Sequence, residues 1–157
     1  MELIFRKPKK EDRDKIKELL DLLTDDYIPL HSEKETLDEL TDIYRGKANA
    51  LIVLTQEGQV IAYTTWNQYA KDKACGYLVN LGVHPDFRQR GISTELGKRA
   101  LAQIKKEGYK GVYYTTWDKN EGMIKLSKNL GMKIVDVYLD EGFRGPGGKT
   151  ILFRKDF

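Results

Sequence analysis

The sequence predicts a mixed α/β fold in which one sheet carries both parallel and antiparallel neighbours. Three observations predict it. Apolar spacing switches between helix and strand periods along the whole chain. A hairpin sits in the first half, with residues 50–55 and 60–66 split by Gln56-Glu57-Gly58-Gln59. Strand–helix–strand units, which call for parallel neighbours, occur only in the second half.

Taken in order, residues 3–6 read as a short strand. Ile16, Leu19, Leu20 and Leu23 then fall at i, i+3, i+4 and i+7, one apolar stripe of a helix. Residues 24–30, with Pro29, form a loop. Ser32-Glu33-Lys34-Glu35 has the capping-box pattern. Leu37, Leu40 and Tyr44 carry that helix until Gly46 stops it. The hairpin follows, then a strand over 76–83 ended by Pro85. A glycine-bearing turn leads into a long helix from about residue 92 to 107, with Leu96, Ala100, Leu101 and Ile104 inward. Residues 112–117 are rich in aromatic and β-branched side chains and read as a strand. Met123, Leu126 and Leu130 mark a short helix closed by Gly131. Two strands, 134–139 and 150–154, flank a glycine-rich loop over 142–148.

The 157 residues suit one domain, 1–157, long enough to bury roughly 70% of the surface an unfolded chain exposes. One cysteine, Cys75, excludes an internal disulfide framework and a thiolate cluster for zinc. With only His31 and His84 as histidines, no metal is expected. The balance of 27 bases and 24 acids gives +3, too mild to imply bulk nucleic-acid or membrane binding. No apolar run approaches the roughly 20 residues that span a bilayer, and the start lacks the order of a secretory signal. A soluble, cytoplasmic protein is expected. Its charge is unevenly spread: residues 21–43 hold eight acids against Lys34 alone, and residues 84–110 hold seven bases against three acids.

Residues 81–96, Leu81-Gly82-Val83-His84-Pro85-Asp86-Phe87-Arg88-Gln89-Arg90-Gly91-Ile92-Ser93-Thr94-Glu95-Leu96, carry the chemistry. A buried strand ends at Pro85, a turn follows, and a helix starts near Gly91. First-turn amides lack intrahelical partners and the helix dipole is positive there, which makes an anion site. Gly91 lets a phosphate approach the backbone. Ser93 and Thr94 add hydroxyls, and Arg88 and Arg90 add charge, so a pyrophosphate is the natural guest. An ordinary strand–turn–helix with solvated arginines would share this spacing.

The stretch resembles the acetyl-CoA signature of the Gcn5-related N-acetyltransferase (GNAT) family, Val-x-Pro-x-aromatic-Arg-x-x-Gly-x-Gly/Ala-x-x-Leu, through Val83, Pro85, Phe87, Arg88, Gly91 and Leu96. Residues 120–132 resemble the family's Asn-x-x-Ala-x-x-Leu-Tyr-x-x-x-Gly-Phe segment through Asn120, Leu126 and Gly131. The element order agrees from end to end. The resemblance implies a mostly antiparallel mixed sheet of six to seven strands flanked by about four helices. It also implies transfer of acetyl from acetyl-CoA to a primary amine by direct attack in a ternary complex. Backbone groups of Leu81 and Val83 would pair with the pantetheine arm, Gly82 between them would also be cofactor-binding, and the Leu81 amide would be the oxyanion donor. Arg88 and the amides of Gln89, Arg90, Gly91, Ile92, Ser93 and Thr94 would hold the pyrophosphate. Asn120 would meet the pantetheine side, and Lys98 and Arg99 the 3′-phosphate.

Three positions depart from the pattern. Ser93 replaces the last small residue of the phosphate motif, Met123 replaces an alanine beside the cofactor arm, and Ser127 stands where many members have the tyrosine that protonates the thiolate. Serine is a poor replacement acid. The usual strand glutamate or histidine is Tyr77 here, expected on one face with Val79, Leu81 and Val83 unless a bulge intervenes. Thr115 occupies another place where relatives have glutamate, and Asp140 and Glu141 are further candidate bases. Tyr77 and Ser127 therefore join Leu81 as catalytic candidates. Trp66, Trp117, Cys75 and His84 read as packing or spacer residues, and His31 as surface. A catalytically weak acyl-CoA sensor is the rival reading, and a nucleic-acid-binding module a remote third. The partner is a small-molecule or peptide amine. The acids of residues 21–43 either steer a cationic acceptor or simply face solvent, and monomer and homodimer both stay open.

Overall fold

A computed structural model describes residues 2–26 and 32–157, so the expectation for His31 lies outside the described residues. The elements in chain order are β1 (Leu3–Arg6), α1 (Arg13–Leu22), α2 (Glu33–Tyr44), β2 (Asn49–Thr55), β3 (Val60–Tyr69), β4 (Asp72–Val83), α3 (Ile92–Lys106), β5 (Gly111–Trp117), α4 (Glu121–Asn129), β6 (Lys133–Leu139), α5 (Glu141–Arg144) and β7 (Lys149–Asp156). The seven strands form one sheet in the order β1-β2-β3-β4-β5-β7-β6. Every neighbouring pair is antiparallel except β4 and β5. The mixed, mostly antiparallel sheet is the expected one. Among the described residues no helix is long and apolar enough to cross a membrane.

Both faces of the sheet are covered. Ile16, Leu19 and Leu20 of α1 and Leu40 of α2 pack with Ile52, Leu54 and Tyr63 on one face. On the other, Ala100, Leu101 and Ile104 of α3 meet Trp66, Leu78, Val112 and Phe153. The Ser32 capping box forms as the sequence predicts: its hydroxyl accepts from Glu35 N at 3.1 Å, and Ser32 N donates to Glu35 Oε1 at 3.3 Å.

Two regions differ from the sequence expectation. β3 and β4 reach Tyr69 and start at Asp72, through a stretch too polar to read as strand. Cross-strand pairing and the Tyr69 ring, 5.2 Å from Tyr77 and 4.5 Å from Tyr113 between centroids, supply what local composition lacks. The glycine-rich loop contains a helical turn, α5. It is tied down by Glu141 Oε2 accepting from Gly147 N at 2.7 Å and by Thr150 Oγ1 donating to Asp140 Oδ2 at 2.6 Å. Gly148 is obligatory there, because a Cβ would lie 2.5 Å from that of Arg144.

A β-bulge sets the geometry of the site. Thr65 faces Asn80 and Trp66 faces Leu78, so Val79 is an extra residue in β4. Strict alternation would put Tyr77 on the face of Leu81 and Val83. With the bulge, Leu78, Leu81 and Val83 all pack toward α3, while Asn80 bonds to α2 and Tyr77 bonds to Thr115. Tyr77 and Leu81 therefore serve opposite faces.

Candidate active site

β4 and β5 pair in parallel only from Cys75/Gly111 to Leu78/Tyr114. Beyond that point β4 runs on to Val83 and β5 to Trp117, and the strands part. β4 keeps β3 on its other edge. His84 N donates to Ile61 O at 2.7 Å. By antiparallel alternation Gly82 and His84 are then the residues bonded to β3, and the backbone groups of Leu81 and Val83 point into the gap. Arg88 Nε donates to the Val83 carbonyl at 3.0 Å. The Leu81 amide and carbonyl and the Val83 amide remain as a row to which an extended ligand can add like a strand.

A cavity of about 1090 Å³ occupies this gap. Tyr77, Leu81, Gly82, Val83, Arg88, Gln89, Gly91, Ile92, Ser93, Thr94 and Asn120 line it. Most of the residues the sequence singles out are thus brought to one place from β4, the following turn, α3 and α4.

At one end the backbone makes the site. Gly91 is the N-cap of α3 at φ +77° and offers no side-chain cap, and Glu95 N to Gly91 O, at 3.1 Å, is the first bond of the helix. The amides of Ile92, Ser93 and Thr94 are left without helical carbonyls. Gln89 sits at φ +60°, the one non-glycine at positive φ among the described residues, a strain of a kind that clusters at ligand sites. These features fit an anionic group such as a pyrophosphate, and the row of β4 backbone fits its extended arm. Met123 lines the wall beside them, and Asn120 caps α4 with its Oδ1 accepting from Met123 N at 3.2 Å. That leaves the Asn120 Nδ2 as its donor.

Several expectations need correction here. Arg90 does not line the cavity; its guanidinium lies 5.1 Å from the centre of the Phe87 ring. Arg88 braces the turn, with one nitrogen on the Val83 carbonyl and another in an ion pair with Asp26. Lys98 and Arg99 lie outside the cavity. Arg99 pairs with Glu95 at 2.9 Å and covers Phe5, because one helical turn brings it there. Lys119 and Lys125 supply the basic wall instead. Ser127 is buried and its Oγ donates to the Met123 carbonyl at 2.7 Å, so the helix itself consumes the hydroxyl.

At the other end side chains make the site. Tyr77 Oη and Thr115 Oγ1 are 2.5 Å apart, and burial pushes the Tyr77 phenol up, against the pull of Thr115. Tyr114 is pushed up to about 12 by burial. Both stay protonated at neutral pH. Asp140 and Glu141 hold the α5 loop together and do not reach the cavity, whereas Phe143 and Arg144 of α5 line it. Asp25, Asp26, Glu35 and Trp117 also line the cavity, Asp26 beside Arg88 of the turn. Trp117 is thus a lining residue, while Trp66 is core and donates to Glu107 at 3.1 Å. Asn80 also lines the cavity and is held by Glu39 of α2. No local motif marks Asn80, Glu39, Phe143 or Arg144. Cys75 is buried, which raises its thiol and leaves it inert.

Residues 16–132 match the family model for the acetyltransferase (GNAT) family. Among solved structures, ribosomal-protein-alanine N-acetyltransferase from Brucella melitensis superposes with a TM-score of 0.81 at 15% identity, over 98% of this chain and 99% of that one. An N-acetyltransferase from Staphylococcus aureus Mu50 gives 0.79 at 18% identity, over 99% of each chain. NAA60 from Arabidopsis thaliana, solved with acetyl-CoA, gives 0.76 at 18% identity, also over 99% of each. Such identities speak for the fold, and the family model, spanning most of the chain, speaks for descent: this protein belongs to the GNAT acetyltransferase family.

Proposed function

We propose that the protein transfers the acetyl group of acetyl-CoA to a primary amine by direct attack, both substrates being bound together. The observation that carries this reading is the parting of β4 and β5, where an unpaired Leu81–Val83 edge runs toward the uncapped start of α3. Acetyl-CoA supplies an acyl thioester. The Leu81 and Val83 backbone groups and Asn120 Nδ2 hold its arm, with Gly82 lining the cavity between them, and the amides of Gln89 and of Gly91 to Thr94 take the pyrophosphate. Lys119 and Lys125 add charge opposite it.

The Leu81 amide donates to the thioester oxygen and strengthens that bond as the oxygen gains charge, the role of an oxyanion donor. One N–C bond forms and one C–S bond breaks. The amine loses one proton, to water or to water relayed past Tyr77, and the thiolate takes one. A coenzyme thiol resembles cysteine, with a pKa near ~8.5, so it departs without an acid. Ser127, bonded within α4, is given no part.

A second reading is a sensor that binds acyl-CoA without turnover, favoured by the sequestered Ser127 and by two protonated tyrosines where a base would stand. Thiol release from acetyl-CoA in the presence of a panel of amines decides. Release that depends on one amine class supports transfer. Binding of acetyl-CoA with no amine-dependent release leaves the sensor. A protein indifferent to millimolar acetyl-CoA overturns both.

A further inference from the structure

The proposed reaction leaves a polar pair on the α2 face of β4 without a task. Asn80 lines the cavity one residue before Leu81. Its Nδ2 donates to Glu39 Oε1 at 2.8 Å, and Thr65 Oγ1 donates to the same oxygen at 3.4 Å. The other oxygen, Glu39 Oε2, is buried without a partner among the described residues. A surface helix has no structural need for a half-satisfied buried acid, since such a group costs free energy to desolvate. The bulge at Val79 brings the pair together, because without it position 80 would share the face of Leu78 and look toward α3.

The chemistry of Glu39 settles the orientation of Asn80. An ionised carboxylate only accepts, so the NH₂ of the amide faces it and Oδ1 lies on the other side. Adjacent residues therefore offer opposite polarities: the Leu81 amide is a donor, and Asn80 Oδ1 is an acceptor. A thioester oxygen needs the first. An attacking amine, which turns its lone pair to the carbonyl carbon and its N–H bonds elsewhere, needs the second.

We propose that Asn80 Oδ1 accepts an N–H of the incoming primary amine, and that Glu39 is the positioning residue that fixes Asn80 for this. The inference rests on the transferase reading above and deepens it. Asn80 takes no proton, since an amide is not a base; it orients the nucleophile, and the proton leaves to water.

The test uses the full chain and thiol release, with the Michaelis constants for amine and acetyl-CoA measured separately. Asn80→Ala should lower kcat/KM for the best amine about tenfold, in line with one hydrogen bond, with KM for acetyl-CoA held within twofold. Glu39→Gln can present either end to Asn80, so its orientation is no longer fixed; about threefold is expected, in the same parameter. In the double variant Glu39→Gln should add nothing beyond Asn80→Ala, because there is no amide left to orient. A merely structural Glu39 would act equally in both backgrounds. If Asn80→Ala does not fold, Glu39→Gln alone still decides between an amine-specific loss and none. An active wild type with an indifferent Asn80→Ala, or losses that fall on KM for acetyl-CoA, overturns this inference alone. A wild type that binds acetyl-CoA but releases no thiol with any amine overturns the transferase reading and this inference with it.

Discussion

The two ends of the cavity are built from different materials. At the α3 end the working groups are backbone amides, fixed by one turn between Val83 and Ile92 with its two positive-φ residues. At the other end they are side chains: Asn80 from β4, Glu39 from α2, Thr115 from β5, and Phe143 and Arg144 from α5. A backbone site recognises what every substrate pair in such a reaction shares. A side-chain site can change its guest by substitution without disturbing the fold. Under the proposed transfer, the first end takes the common cosubstrate and the second chooses the acceptor.

The largest effect is expected at the backbone end. A Cβ at Gly91 would meet nothing within 4 Å, but φ is +77°. A β-branched residue there costs on the order of 1–3 kcal/mol and shifts the turn without crowding the core. Wild type at one hundred times the dissociation constant of acetyl-CoA gains ~2.7 kcal/mol, read as a melting shift of roughly 5–10 °C at this size. Gly91→Val should fold and lose that shift. Retention of the full shift would detach the turn from cofactor binding.

The acidic part of the lining should respond several-fold. Part of its charge is spent locally: Lys17 lies 2.7 Å from Asp21 and 3.3 Å from Glu33, Lys34 is paired with Asp38, and Asp26 with Arg88. Asp25 and Glu35 also line the cavity, Glu35 with Oε1 in the Ser32 capping box. Replacing them with Asn and Gln should lower kcat/KM for a basic amine about threefold at low salt. The difference should vanish near physiological salt, where screening acts over about 8 Å. Asp26 is spared because its loss would also remove the ion-pair partner of Arg88, which braces the turn after β4. A salt-independent rate, or a neutral amine as the better substrate, would leave these acids facing solvent only.

Legibility follows the same division. The α3 end is written in contiguous residues, since a turn needs Pro85 and Gly91 and a helix start needs a cap within a few positions. So are the helices, whose stripes and the Ser32 box are local. The bulge at Val79 is not, because it is decided by registry against Thr65 and Trp66 on another strand. Asn80 and Glu39, 41 positions apart, meet only once that registry and the seat of α2 exist. Helix α5 hid in a glycine-rich stretch because its restraints come from Thr150 and Gly147, beyond its own turn. Lys98 and Arg99 carried the expected charge, but the helix turns them away from the cavity.

Two carboxylates sharpen the contrast through pH. Asp12 is held low by the Arg6 guanidinium, with contacts of 2.6 and 3.0 Å. Its stabilisation is complete above the ordinary aspartate pKa and is lost as pH falls through the lowered one. Glu39 is the reverse: burial pushes its carboxyl up, Asn80 and Thr65 pull against that, and Asp42 on the same helix adds to it. Native Glu39 thus holds its proton longer than the unfolded chain does. Stability should fall as pH rises from about 4.5 through the raised value, and level off above it. In melting curves over that window Glu39→Gln should remove this slope, and Asp12→Asn should instead remove stability present at neutral pH. Parallel curves for wild type and Glu39→Gln would show that Glu39 titrates alike folded and unfolded.

The smallest effect is expected at Ser127, which does not line the cavity. Its hydroxyl is buried and donates to the carbonyl one turn back, at 2.7 Å, a bond that slightly disfavours a helix. Alanine removes donor and side-chain oxygen together, leaves Met123 O with its backbone role in α4, and has the higher helix propensity. Ser127→Ala should therefore melt at or slightly above the wild-type temperature. Its kcat should stay within about threefold, against the 10²–10⁴ expected of a working acid. A hundredfold loss in a variant that still binds acetyl-CoA would mean that α4 opens during turnover and hands the hydroxyl to the leaving thiolate. The line between a backbone end that binds and a side-chain end that selects would then have to be redrawn through α4.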